Sequence, residues 1–129
     1  MKSCLVVDDS ESVRTVVRRI LESFDLDVVE ASNGREALET CGRTMPDGIV
    51  LDWRMPVMDG YEFLNELRAH EAGSQPAVIL CTTESELSRI QAAFTAGADE
   101  YIIKPFDIKV LREKLTGVGL LGAPDAELF

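Results

Sequence analysis

No apolar run in this 129-residue chain approaches the roughly 20 residues a membrane span requires, which argues against a helical membrane protein. Basic residues are few, 13 Lys and Arg against 23 Asp and Glu, and a net charge of −10 leaves no basic stripe for nucleic acid or anionic lipid. Cysteine is scarce as well. Cys4, Cys41 and Cys81 are odd in number and lack C-x-x-C spacing, so neither a disulfide framework nor a zinc site is expected, and all three read as structural thiols. The single histidine, His70 beside Glu71, supports neither a Ser-His-Asp set nor a histidine-metal site and is expected at the surface. The start "MKSCLVV" holds one basic residue before acids appear at position 8, which excludes a signal peptide and predicts a cytosolic protein. With five prolines, nine glycines, 46% hydrophobic and 28% charged residues, the chain is not a disordered one. Its direct partners are expected to be proteins, cations or small ligands.

What is present is an alternation. The short runs "CLVV", "DVVE", "GIVL", "AVILC" and "EYII" are rich in β-branched residues and nearly continuous, as strands covered on both faces should be. Amphipathic stretches separate them, so the pattern reads as five βα units on a parallel sheet, its third and fourth strands the most buried. Helical spacing places Val13, Val16, Val17, Ile20, Leu21 and Phe24 on one face of the first helix, with Arg14, Arg18, Arg19 and Glu22 opposite. Asn33 with Glu36 predicts a capping box for the second helix. Core faces are predicted at Tyr61, Leu64 and Leu67, at Leu87, Ile90 and Phe94, and at Ile108, Leu111 and Leu115. Gly97 is expected to close the fourth helix.

Two adjacent acids, Asp8 and Asp9, end the first strand, although neighbouring carboxylates repel and each needs compensation. In an open doubly wound sheet the functional crevice lies beyond the C-terminal strand ends, where strand order reverses. With flavodoxin-like order 2-1-3-4-5, the third strand, ending in Asp52, adjoins the first. Three carboxylates then converge, a site suited to a hard divalent cation with oxygen ligands such as Mg²⁺. Thr82 and Lys104, at the ends of strands four and five, add a hydroxyl and an ammonium that suit a phosphoryl group. Asp52 is the natural nucleophile of such a site, giving an aspartyl phosphate.

Taken in order and at these spacings, "VVDDS", "VLDWRMPVMDG", "VILCTT" and "YIIKPF" resemble the receiver domains of two-component response regulators over residues 1–116. The resemblance implies a stand-alone, chemotaxis-regulator-like receiver that is not an enzyme beyond Mg²⁺-dependent self-phosphorylation and autodephosphorylation. It makes Asp52 the phosphoacceptor, Asp9 and the Arg54 backbone carbonyl direct Mg²⁺ ligands, and Asp8 a ligand through water. Thr82 and Lys104 would contact the phosphoryl oxygens, and Thr82 and Tyr101 would switch the surface of helix 4, strand 5 and helix 5, where a downstream target binds. The phosphoryl donor would be a histidine kinase or histidine phosphotransfer protein. A cis bond between Lys104 and Pro105 is implied too. Tyr101 also reads as a simple half-buried strand residue.

Thr83 departs from the small residue usual at that position and would narrow the entrance. Arg54 and Glu84, each two residues beyond a site residue, could meet above the phosphoryl group and tune its lifetime, or be two solvated charges. Asp59 and Gly60 are expected to cap the third helix, Met55 and Pro56 to shape the loop before it, and Trp53 to be a partly exposed neighbour whose fluorescence reports on the site. Residues 117–129 read as a short tail without an output domain, with Leu120, Leu121, Leu128 and Phe129 in a frayed end.

Competing classes fit less well. A phosphatase of the haloacid dehalogenase kind calls for D-x-D after the first strand, where Ser10 stands, and for a cap domain. A flavin module needs Ser, Thr and Gly there, and "DDSES" would repel its phosphate. A phosphorelay intermediate, or a receiver acting without phosphate, remains open.

Overall fold

All five apolar runs form strands in the computed structural model, which describes residues 2–83 and 88–122. They are β1 (Ser3–Val7), β2 (Asp27–Ala31), β3 (Gly48–Asp52), β4 (Ala77–Thr82) and β5 (Glu100–Ile103). Every pairing is parallel, and the order is 2-1-3-4-5. Alternate helices are α1 (Glu11–Ser23), α2 (Gly34–Arg43), α3 (Gly60–Ala69), α4 (Ile90–Ala96) and α5 (Ile108–Gly117), with a 3₁₀ turn at Ala72–Ser74. The predicted flavodoxin-like α/β architecture is thus observed.

Side-chain alternation along the strands splits the core in two. Leu5, Val7, Ile49, Leu51, Val78 and Leu80 face one layer, which Ala37, Phe63, Leu64, Leu67 and Ala93 of α2, α3 and α4 complete. Cys4, Val6, Val50, Ile79, Cys81 and Ile102 face the other, against Val17, Leu21, Leu111 and Leu115 of α1 and α5. The three thiols are free and buried, and burial pushes Cys4 and Cys81 up to about 12 and Cys41 up to about 11, so none is a reactive thiolate. Among the described residues no helix is long and apolar enough to cross a membrane.

The helix faces are narrower than predicted. Val16, Tyr61, Phe94 and Ile108 are exposed, because only part of each predicted stripe reaches the sheet. Phe63, not anticipated as core, is fully buried on α3. Leu87 lies outside the described residues. Of the box predicted for α2, one half forms: Asn33 accepts from the Glu36 N–H, but Glu36 accepts from Ser32. Asp59 and Glu62 make the complete reciprocal box at α3.

The segment after α5 is not frayed at its start. Gly119, at φ 86°, takes a left-handed turn, and its N–H bonds the Thr116 carbonyl while the Leu120 N–H bonds that of Leu115. This Schellman closure drives Leu120 under the sheet, where it is 6% exposed and fills the space above Gly48. Leu128 and Phe129 lie outside the described residues.

Candidate functional site

Strand order places the acids. β1 and β3 are hydrogen-bonded neighbours and their helices pack on opposite faces, so Asp8, just past β1, and Asp52, the last residue of β3, border one crevice. Carboxylate oxygens of Asp8, Asp9 and Asp52 all lie within 4.8 Å of one another. Lys104, just past β5, reaches across: its Nζ donates to Asp8 Oδ2 at 2.9 Å and to Asp52 Oδ1 at 3.2 Å. The Lys104–Pro105 bond is cis.

The three carboxylates are held differently. Asp8 is 5% exposed, and both its oxygens are engaged, Oδ1 by the Ser10 N–H at 2.9 Å and Oδ2 by Lys104. Asp9 is exposed, and its carboxylate makes no hydrogen bond among the described residues. Asp52, with a side chain 14% exposed, keeps Oδ2 clear of Lys104. Burial, reinforced by the charges of Asp8 and Asp9, pushes the Asp52 carboxyl up to about 6 although Lys104 opposes the shift. Burial would lower Lys104, but its bond with Asp8 and the charges of Asp52 and Asp8 prevail and raise it. A set of hard oxygens around uncompensated charge suits a divalent cation such as Mg²⁺.

The loop after Asp52 is tightly built. Trp53, expected to be partly exposed, is 5% exposed and meets Tyr61 edge-on with ring centroids 5.7 Å apart, because the extended chain carries the strand alternation one residue further into the α2–α3 layer. Gly60 approaches so closely that a Cβ there would stand 2.5 Å from the Asp52 carbonyl oxygen. Val57 sits at φ 70° with 73% exposure, a left-handed conformation uncommon for a β-branched residue. Arg54 and Thr83 are exposed, and Thr83 and Lys104 line a groove together with Val13, Val16 and Phe106. Glu84 lies outside the described residues, so its predicted meeting with Arg54 does too.

Thr82 ends β4 almost fully buried, its hydroxyl donating to the Thr83 carbonyl at 3.3 Å. On β5, Tyr101 is half-buried between Phe94 of α4, edge-on with centroids 6.2 Å apart, and the Lys114 ammonium of α5, 5.0 Å from its ring centre. Residues predicted from three strand ends, Asp8, Asp9, Asp52 and Lys104, therefore converge; Thr82 ends the strand between β3 and β5, and Tyr101 lies on the neighbouring face. One contributor went unrecognised in the sequence: Arg14 donates to the Asp8 carbonyl at 2.7 Å. Its place on the polar face of α1 gave no signal.

Known proteins share this arrangement. The family model described as response regulator receiver domain matches residues 4–116. The chain is 38% identical over 117 residues to the chemotaxis protein CheY of Halobacterium salinarum, covering 91% of this chain and 96% of that one. It is 37% identical over 123 residues to CheY1 of Helicobacter pylori, covering 94% and 98%. Among solved structures, chemotaxis protein CheY4 of Vibrio cholerae superposes with a TM-score of 0.86 at 34% identity, covering 92% of this chain and 98% of that one. The receiver domain of sensor histidine kinase PA1611 from Pseudomonas aeruginosa, described with magnesium coordinated in its active-site cleft, gives 0.83 at 30% identity with the same coverage. A match over nearly the whole sheet, in sequence and in shape, makes this chain a member of the response regulator receiver domains of two-component systems.

Proposed function

We propose that Asp52 accepts a phosphoryl group from a phosphohistidine of a histidine kinase or histidine phosphotransfer protein, and that the modified domain signals by binding a protein in the cytosol. The observation that carries this reading is the placement of Lys104 Nζ within 3.2 Å of Asp52 in a crevice bordered by Asp8 and Asp9. An Asp52 carboxylate oxygen forms the O–P bond as the N–P bond to the donor imidazole breaks, and the imidazole nitrogen keeps the electron pair and takes a proton. A carboxyl at about 6 is ionised at neutral pH and so is competent as the nucleophile. Lys104 neutralises charge spreading onto the phosphoryl oxygens, and the Thr82 hydroxyl, on the adjoining strand end, donates to one of them.

Asp9, Asp52 and the Arg54 carbonyl are the direct ligands expected for Mg²⁺, with Asp8 acting through water. Bound there, Mg²⁺ supplies the remaining positive charge. The hydrogen bonds support this division of labour, since both Asp8 oxygens are engaged and the Asp9 carboxylate makes none among the described residues. The domain acts by shape, with no turnover beyond its own phosphorylation and dephosphorylation, and Arg54, Thr83 and Glu84 set those rates. Thr82 and Tyr101 relay the modification to the surface of α4, β5 and α5, where exposed Phe94 and Ile108 suit a protein target. The net charge of −10 supports protein partners over nucleic acid.

Incubation with Mg²⁺ and acetyl phosphate, read by intact mass, tests this function. One added phosphoryl group, abolished by Asp52→Asn and by EDTA, is expected. A folded protein that gains none refutes phosphorylation and leaves an interaction module. Return of the group to a histidine protein would identify a phosphorelay intermediate.

A further inference from the structure

Asp8 is fixed at every polar atom. Its N–H bonds the Ala31 carbonyl at 3.1 Å, its two side-chain oxygens accept from the Ser10 N–H and Lys104, and its carbonyl accepts from Arg14 Nη1 at 2.7 Å. That carbonyl belongs to the planar peptide joining Asp8 to Asp9, so whatever holds it sets the direction in which Asp9 leaves the strand. Asp9 has little else to position its side chain, whose carboxylate makes no hydrogen bond among the described residues.

Arg14 is itself anchored. Its Nε bonds Glu30 Oε1 at 3.0 Å, while Arg18 Nη1 holds Glu30 Oε2 at 2.6 Å and Arg18 Nη2 caps the Val28 carbonyl at 3.1 Å. The Arg14 side chain is 15% exposed, and the two arginines hold the Glu30 carboxyl below the usual carboxylate range. A planar guanidinium presenting Nε to β2 and Nη1 to the β1–α1 loop is a rigid brace, a geometry an ammonium does not reproduce.

From this geometry we infer that Arg14 is a positioning residue for divalent cation binding: braced on Glu30, it holds the Asp8–Asp9 peptide so that Asp9 faces Asp52. The inference rests on the reading of Asp8, Asp9 and Asp52 as a cation site, and it makes a prediction of opposite sign to simple electrostatics. Removing a positive charge beside a cation site should tighten cation binding. Removing a brace weakens it.

The test is calorimetric titration of Mg²⁺ alone into the full chain and its Arg14→Lys, Arg14→Gln, Arg18→Gln and Asp9→Asn variants, each checked by urea unfolding. Arg14→Lys and Arg14→Gln are expected to raise the Mg²⁺ Kd about tenfold, the usual cost of losing a group that orients a ligand, with Arg18→Gln changing it less than about twofold. Arg14→Lys retains the charge and carries the test should Arg14→Gln fold poorly. An unchanged or tighter Kd in the Arg14 variants, or an equal loss in Arg18→Gln, overturns the inference. Saturable binding by the wild type that Asp9→Asn abolishes supports the site itself, whereas a wild type that takes up no Mg²⁺ overturns the site and the brace together.

Discussion

Replacing Asp52 with Asn should make the metal-free domain more stable at neutral pH, by an amount that disappears in acid. Asp52 is 14% exposed at its side chain, and burial together with Asp8 and Asp9 pushes its carboxyl up to about 6. Between the ordinary carboxylate range and that value, the folded protein keeps a proton that the unfolded chain has released. Stability contributed by this group is therefore fully present in acid and is lost as pH rises through about 4 to 6. At 1.36 kcal/mol per pKa unit the loss is at most about 3 kcal/mol, and water at the rim of the crevice reduces it to about 1–2 kcal/mol. The Asn side chain keeps the shape without the charge, and groups common to both proteins cancel in the difference. Urea unfolding in EDTA should show the stability of Asp52→Asn relative to wild type growing by about 1–2 kcal/mol between pH 4 and pH 7.5. A difference that stays flat across that range, or moves in favour of the wild type, refutes the upward shift assigned to burial and the neighbouring acids. Mg²⁺ at ten times its Kd should return about 1.4 kcal/mol to the wild type and less to the variant.

Three further substitutions probe the framework. Gly60→Ala would set a Cβ 2.5 Å from the Asp52 carbonyl oxygen, so thermal melts should show a loss of about 1–3 kcal/mol, and acetyl phosphate uptake should slow; an unperturbed melt would mean that the loop yields. Val57→Asn should raise stability in urea by about 0.5–1 kcal/mol, because Asn tolerates φ 70° and a side chain 73% exposed has little burial to lose; a destabilised variant would show that Val57 is not strained. Leu120→Ala should cost about 2–3 kcal/mol in the same assay, as for other buried leucines, whereas a frayed end predicts no change.

Much of this was legible in the sequence, for identifiable reasons. Strands buried on both faces leave continuous runs, and each predicted strand lies within one residue of the observed one. Asp8, Asp9, Asp52, Thr82 and Lys104 could be placed together because they stand at strand ends, where topology alone determines proximity. Helical periodicity was less exact, since it marks a stripe wider than the strip that touches the sheet. Val16 and Ile108 satisfy the spacing yet stay exposed. Arg14 could not be found by periodicity, because its partners Asp8 and Glu30 are 6 and 16 residues away and only the packing of α1 on the sheet unites them. Gly119 and Leu120 did carry a signal: a glycine shortly past a helix followed by an apolar residue is the Schellman pattern, and the glycine-rich composition of the segment masked it.

On the proposed reading, the charge balance of the crevice accounts for how one chemical event would be felt on the neighbouring face. Three carboxylates against one ammonium leave two negative charges uncompensated, which matches a divalent cation, and Lys104 divides its contacts between Asp8 and Asp52. On the proposed reading, a phosphoryl group on Asp52 draws Lys104 and Thr82 toward its oxygens. Little stands in the way for Thr82, whose present bond to the Thr83 carbonyl is a long 3.3 Å. The strand ends are bound together more firmly, since the Lys104 N–H donates to the Thr82 carbonyl at 2.7 Å. A shift of either residue is therefore passed to β5, where half-buried Tyr101 packs on the edge of the core and meets Phe94 and Lys114. Edge-on ring contacts and exposed cation–π contacts are worth about 1 kcal/mol each, well below what a new charge-assisted contact to a phosphoryl oxygen can supply. The strong bonds lie along the route from Asp52 and the weak ones at its end, so the surface of α4, β5 and α5 is where the rearrangement costs least.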